Sequence, residues 1–193
     1  MAPARRVWAA GLQRGFSLLE LLVTLIVVVL ITSLVTLNVG SGSRDIQLES
    51  QLRNLADVAT YALDEAQMLG VDYGLVLYQA SRDGQLRYAY SWRERRPEGW
   101  REPESGKDVF AAGEFEDYLD IQLELEGAPV AELVLDDSSP EATPQIIFYS
   151  SGEVSAGALD VQRRDGGELL WRLEWDLLGR FTLLLRGETL EDS

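Results

Sequence analysis

"RGFSLLELLVTL", residues 14 to 25, sets a lone carboxylate, Glu20, five residues beyond Gly15 and directly against a long apolar run. The fold turns on this stretch, because it determines whether the chain opens with an anchor or with part of a core. From Leu21 to Ser43 there are 23 residues without a charge, and Leu21 to Leu37 is dominated by Leu, Val and Ile. About 20 such residues in a helix span a hydrocarbon layer roughly 30 Å thick. Thr24, Thr32, Ser33 and Thr36 are compatible with this, since their hydroxyls can bond back to helix carbonyls. Arg5, Arg6 and Arg14 precede the run, so the positive-inside tendency places residues 1–14 in the cytoplasm and Arg44 onward outside. A cleaved secretory signal needs a shorter apolar core and a small-residue site of the A-x-A type, and "NVGSGS" after Leu37 does not supply one. A carboxylate at the centre of a membrane helix costs about 2.5–3.5 kcal/mol on insertion scales. Glu20 therefore sits at the edge, snorkelling near Arg14, or something neutralises it; an acid in such a place is a functional-site hypothesis by default.

The rest of the composition narrows the chemistry. The 193 residues suggest one domain plus an appendage. Residues 1–15 hold three arginines and no acid, so with a chain net of −15 the remainder carries −18. Such a body repels phosphate backbones, which argues against nucleic acid as a partner. There is no Cys and no His, which removes disulfides, thiol nucleophiles, Cys/His zinc sites and His-based triads. Carboxylate or hydroxyl chemistry is what remains for an enzyme.

Beyond "GSGS" (Gly40 to Ser43), expected to be a flexible break, the spacing predicts a second, amphipathic helix. Leu48, Leu52, Leu55, Ala59, Ala62, Ala66 and Leu69 step by three and four and form one stripe. Gly70 is a natural stop. The period then changes to two. Val71–Gln79 and Gln85–Trp92 read as a hairpin turning at Asp83-Gly84. "RERRPEGWREPESGKD" reads as a mixed-charge loop. Asp120–Glu126 and Val130–Leu135 read as strands around Gly127-Ala128-Pro129, and "PQIIFYSSGEVSAGALDVQ" as two strands around Ser150–Gly152. Leu169, Trp171, Leu173 and Trp175 share one face before a turn near Leu178-Gly179 and a last strand with Phe181, Leu183 and Leu185. Roughly eight strands in about 120 residues suggest antiparallel sheets packed as a sandwich or a partly closed barrel.

Few constellations point to catalysis or metal. Asp136-Asp137 and the group Glu114, Glu116, Asp117 and Asp120 offer oxygens but lack the EF-hand spacing; solvated acidic loops explain them. A glycosidic carboxylate pair needs a cleft that spacing alone does not establish. "SSG" and "GSGS" lack the context and the basic residue of a phosphate loop. Trp171 and Trp175 sit at strand spacing and read as core; Trp92 and Trp100 flank the polar loop and read as core or loop packing, the alternative being an exposed contact surface. No cofactor and no metal site is expected.

"RGFSLLEL" (Arg14 to Leu21) resembles the prepilin processing motif of type IV pilins and type II secretion pseudopilins, with Ser17 where Thr is commoner and Leu19 where Ile is commoner. The resemblance implies cleavage by prepilin peptidase between Gly15 and Phe16, N-methylation of Phe16, and retention of the apolar helix. It also implies that Glu20 pairs with the N-terminal amine of a neighbouring subunit during assembly. "IIFYSSGEVSAGALDVQ" resembles the hairpin of H-type minor pseudopilins and FimT-like fimbrial proteins, matching at Phe148, Gly152 and Ser155. Ser150 and Ser151 replace the Pro and the Asp or Asn usual there. "LLGRFTL" resembles the closing Gly-Arg strand at Gly179 and Arg180. The expected fold is thus α+β and pilin-like, a long N-terminal transmembrane and amphipathic helix followed by an antiparallel β-sandwich-like domain. Its parts are a cleaved leader (1–15), a membrane helix and hinge (16–43), an amphipathic helix (44–70) and a periplasmic β domain (71–193).

The resemblance implies a non-enzymatic, filament-building role: a minor pseudopilin of type II secretion, anchored once in the inner membrane and placed at or near the tip of a periplasmic pseudopilus. Implied partners are the I, J and K minor subunits, the major pseudopilin, the exported proteins and the secretin. The alternatives are a FimT-like minor pilin of a type IV pilus, an unprocessed membrane-anchored periplasmic binding module, and, more remotely, a tethered hydrolase using carboxylates.

Overall fold

The structure, a computed structural model, describes residues 17–82, 84–104, 108–127, 133–135, 143–186 and 188; side chains at 33–43 and 134–135 lie outside the description. It divides into two units, Met1–Gln47 and Leu48–Ser193. One helix, α1 (Leu18–Leu69), contributes to both. Its backbone is helical through 40–43, where the glycines were expected to break it. A Gly costs about 1 kcal/mol against Ala in a helix, and propagation from formed turns is favourable enough to carry two of them.

In the second unit the predicted stripe is the buried face of α1. Leu48, Leu52, Leu55, Ala59, Ala62 and Ala66 are all buried, joined by Leu63. Leu69, the last member of the stripe, is instead 49 % exposed. The helix stops at Gly70 (φ +69), and the Val71 N–H returns to the Ala66 carbonyl, the 6→1 bond of a Schellman closure.

Ten strands follow among the described residues. The first sheet holds β1 (Tyr73–Arg82), β2 (Gln85–Arg96), β3 (Gly99–Arg101), β4 (Gly113–Glu114), β6 (Val134–Leu135) and β7 (Ile146–Phe148). The second has the order β10-β9-β8-β5, with β5 (Leu119–Leu125), β8 (Gly157–Arg163), β9 (Leu169–Trp175) and β10 (Phe181–Leu185). Arg82 pairs with Gln85 across the β1–β2 turn, where Gly84 takes a φ of +77; Asp83 lies outside the described residues.

Four further expectations are corrected. The mixed-charge "loop" contains strand: β2 runs on to Arg96, and β3 folds back on it with Arg96 opposite Gly99. Arg93 and Glu94 are buried there, so charge alone was a poor sign of exposure. The strands expected as a hairpin around 127–129 lie in different sheets, β5 antiparallel to β8 and β6 parallel to β1. The turn expected around Ser150–Gly152 is present, with Phe148 bridged antiparallel to Val154, but the pairing is short. β7 belongs with β1, and β8 begins only at Gly157 and pairs with β5 and β9, so residues 149–156 also carry the chain from one sheet to the other. Finally, a register shift between Val161 and Gln162 opposes two residues to Leu169 and Trp171 and turns Leu170 into the buried set, leaving Leu169 half-buried.

The edge of β1 is completed piecewise. β7 pairs with Tyr73–Leu75, the side-chain amide of Gln145 both donates to and accepts from the backbone of Leu77 (3.0 and 2.9 Å), and β6 pairs at Tyr78–Gln79. Residues of α1 and of both sheets share one core, from Leu48 and Leu52 through Trp92 and Phe148 to Trp171 and Trp175. Phe110 is stacked on Tyr73 and meets Trp92 at a tilt within it.

Candidate functional site

The helix start carries the first candidate. Ser17 stands just before α1, and its hydroxyl accepts the Glu20 N–H at 3.2 Å while its carbonyl takes the same N–H at 3.0 Å. Ser17 is thus the N-cap and Glu20 the third helical residue, the S-x-x-E spacing of a capping box. The positive end of the helix dipole favours a carboxylate at that position. Sequence reading noted Ser17 only as a substitute for Thr; the signal that it caps the helix was its spacing from Glu20. Thr24 and Thr32 donate to carbonyls one turn back, at 2.7 and 2.9 Å, as expected. Ser33 and Thr36 lie where side chains are outside the description, and Gly15 and Phe16 lie outside the described residues.

Around Glu20 the apolar side chains are exposed on every side. From Leu18 to Ile31 every Leu, Val and Ile is between 46 % and 81 % exposed. A helix apolar all round is suited to burial by other molecules rather than to water. Among the described residues no helix is long and apolar enough to cross a membrane; the described side chains of this run stop at Thr32 and resume at Arg44.

The second candidate, Phe148, Gly152 and Ser155, sits at the crossover between sheets. Phe148 is fully buried against Trp92, with ring centroids 5.7 Å apart. Gly152 has φ +93 and closes a tight turn, its N–H donating to the Tyr149 carbonyl at 2.9 Å. Ser155 ties the two sheets together. Its hydroxyl accepts the Ile147 N–H, its own N–H donates to Ile147, and its carbonyl accepts the Trp175 indole N–H at 2.6 Å. Ser150, at the position where Pro is usual, uses its N–H to reach the Asp72 carboxylate at 2.8 Å, a bond Pro lacks the donor to make. These residues build the domain.

Gly179 and Arg180 occupy the turn between β9 and β10. Gly179 has φ +70, and a Cβ there would stand 2.6 Å from Leu63 of α1. The Asp176 carboxylate, which sequence reading passed over, organises this turn. It accepts the N–H groups of Leu178 and Arg180 at 3.0 Å and the Arg180 guanidinium at 2.6 Å. Those bonds, the Arg180 backbone first, hold its pKa below the usual value of 3.8. The visible signal was an Asp opening a Gly-containing turn.

Across the outer face of the second sheet, Arg172 of β9 joins three strands. It bonds both Asp160 oxygens at 2.8 Å, Glu174 at 2.7 Å and Glu124 at 3.1 Å. Burial alone would lower its pKa, but the three carboxylates outweigh this and raise it. The arginine lies beside an open groove of about 1080 Å³ bounded by Glu124, Ala158, Trp175, Leu177 and Arg180. Its polar groups already answer one another, and nothing in it marks a nucleophile or an acid–base pair. The acids weighed for calcium are likewise dispersed among partners. Glu114 pairs with Arg82 and Asp120 accepts from the Tyr88 hydroxyl. Among the described residues no group of three or more His, Cys, Asp or Glu side chains could hold a metal ion. Asp136 and Asp137 lie outside them.

A helix that begins in an apolar, carboxylate-bearing stretch and packs its last third on antiparallel sheets defines a pilin-like protein. Residues 51–179 match the family described as type II transport protein GspH. The chain belongs to that family. It is 29 % identical over 163 residues to type II secretion system protein H of Pseudomonas aeruginosa, covering 79 % of this chain and 84 % of that one. To the protein of the same name from Aeromonas hydrophila it is 26 % identical over 180 residues, covering 89 % and 93 %. Its fold is that of the Vibrio cholerae minor pseudopilin EpsH (TM-score 0.57, 20 % identity, 73 % of this chain and 97 % of that chain). It is also that of Escherichia coli GspH in solution (TM-score 0.52, 16 % identity, covering 76 % and 93 %). Between the two pilin-like readings, the family match decides for type II secretion.

Proposed function

We propose that the chain is anchored in the inner membrane through residues 16–43 and joins a periplasmic pseudopilus at or near its tip, as a structural subunit without catalysis. Residues 1–15 are a cytoplasmic leader that prepilin peptidase removes between Gly15 and Phe16, and Phe16 is then N-methylated. Glu20 pairs with the N-terminal amine of a neighbouring subunit as it enters the filament. The I, J and K minor subunits and the major pseudopilin are its neighbours; exported proteins and the secretin are met by the acidic β domain.

The observation that carries this reading is the helix start, apolar and exposed on every face, with one carboxylate in its first turn. In hydrocarbon that carboxylate is costly alone, and an opposite charge four residues from it in sequence, on another subunit, offsets much of the cost. The same pairing explains why a charge is retained in an otherwise apolar stretch.

Intact mass and N-terminal sequencing of the membrane-extracted protein, with and without prepilin peptidase, test the reading. A mature chain starting at N-methylated Phe16, produced only when the peptidase is present, is the expected result. A chain still beginning at Met1, or cut beyond Leu37, overturns the assembly role of Glu20.

A further inference from the structure

Strand β10 (Phe181–Leu185) forms one edge of the second sheet, and among the described residues its one strand neighbour is β9. Other edges carry features that discourage pairing. β5 alternates its apolar residues with Asp120, Gln122 and Glu124, and β3 is three residues long between Pro97 and Pro103. β10 reads Phe-Thr-Leu-Leu-Leu, with no charge, Pro or Gly. Leu185 at its end and Leu177 and Leu178 in the preceding turn are more than half exposed. An unguarded apolar edge of this kind is a template for an added strand.

Its flanks say what sort of strand fits. Arg180 precedes β10 and Arg186 follows it, with side chains 77 % and 66 % exposed. Their present partners, Asp176 and Glu168, are themselves on the surface, and exposed pairs of this kind exchange readily. A second copy of the chain fits poorly. Antiparallel self-pairing centred on Leu183 sets Arg180 opposite Arg186 at both ends, and like charges directly opposed are destabilising.

We propose that the β10 edge accepts an extended strand from a different protein, uncharged over five residues and acidic immediately beyond each end. Backbone hydrogen bonds supply the pairing, and the two arginines select the partner and fix its register. This holds whether or not the apolar helix spans a membrane, so its test is separate from that of the anchor.

The chain has no Cys, so Leu178→Cys gives a single site for a fluorescent label beside the edge. Full-length labelled protein in detergent micelles is titrated with two blocked peptides, Asp-Val-Thr-Val-Thr-Val-Asp and its counterpart with Lys at both ends. The acidic peptide is expected to bind at least tenfold more tightly. The exposed double variant Arg180→Glu/Arg186→Glu is expected to reverse that preference. Thr182→Lys, with a charge in mid-strand and both arginines kept, is expected to weaken both peptides. The proposal is overturned by failure of the acidic peptide to saturate, by equal affinities, or by a preference that the charge reversal leaves unchanged. Binding seen only after removal of residues 189–193 also overturns it, by assigning the edge to the chain's own end. Concentration-dependent dimerisation through β10 does the same, by assigning it to a second copy.

Discussion

The two ends of α1 solve opposite problems with the same backbone. From Leu18 to Ile31 the helix is apolar on all faces and finds no cover among the described residues, whereas from Leu48 to Ala66 one stripe is buried and the opposite face is charged. Small residues make the second case possible. Ala59, Ala62 and Ala66 let the helix lie close against the sheets, and the larger Leu48, Leu52 and Leu55 fill the core where more room is left. Helical periodicity therefore reports which neighbour a helix is built for: a stripe for its own domain, an all-round surface for other molecules.

Truncating a side chain at each end sharpens the contrast. Leu52→Ala should lower the stability of the β domain by about 2–5 kcal/mol, the usual range for a cavity in a packed core. Ile26→Ala should leave it unchanged within about 0.5 kcal/mol. Chemical denaturation of the full chain in detergent, followed by Trp fluorescence, checks both. Equal effects would erase the distinction between the two segments.

The next effect concerns how the domain grips the helix. Gly179→Ala should destabilise by about 2–3 kcal/mol, since it adds left-handed backbone strain of roughly 1–2 kcal/mol to a collision with Leu63. If the collision contributes, combining it with Leu63→Ala should recover part of its own cost, which a double-mutant cycle measures.

How much of this was legible depended on whether the signal was local. The stripe of α1 and the close of the β1–β2 hairpin between Arg82 and Gln85 follow from spacing and turn chemistry, and both are found. The prediction failed where pairing is long-range. Gly127-Ala128-Pro129 looks like a hairpin turn, yet β5 finds its partner in β8 and β6 in β1, because neighbouring strands in a chain can be claimed by different sheets. Residues 93–96 were hidden by their charge, though Arg93 and Glu94 are both buried. Leu69 kept the helical period but lies at the end of the helix, where burial on the sheets has ceased. Of the candidate site, Glu20 and its place in the first turn were legible, whereas the Ser17 cap and the Asp176 brace were overlooked. Phe148, Gly152 and Ser155 matched a pattern that says where to look but not what they do. Their hydrogen bonds show that they join the two sheets.

Smaller effects separate the ends further. Ser17→Ala should increase hydrogen exchange in the first turn of α1, through loss of a cap worth about 0.5–2 kcal/mol, while the melting temperature of the β domain stays put. Asp176 gives a pH test confined to the domain. Its folded pKa lies below the unfolded value, so its contribution is present above pH 4 and is lost as pH falls through the folded pKa. Asp176→Asn should therefore flatten the fall in melting temperature between pH 4 and pH 2 relative to the parent, and a parallel pair of curves would remove Asp176 from the turn's stabilisation.

The most direct measurement compares the thermal midpoint of a chain starting at Arg44 with that of the full chain in detergent. If the last third of α1 belongs to the domain and the apolar start is built for other molecules, the shortened chain should stay in aqueous solution and melt cooperatively within a few degrees of the parent. A shortened chain that aggregates, or melts more than about 10 °C lower, would mean that the apolar start helps hold the domain together, and would contradict the division of the helix into two roles.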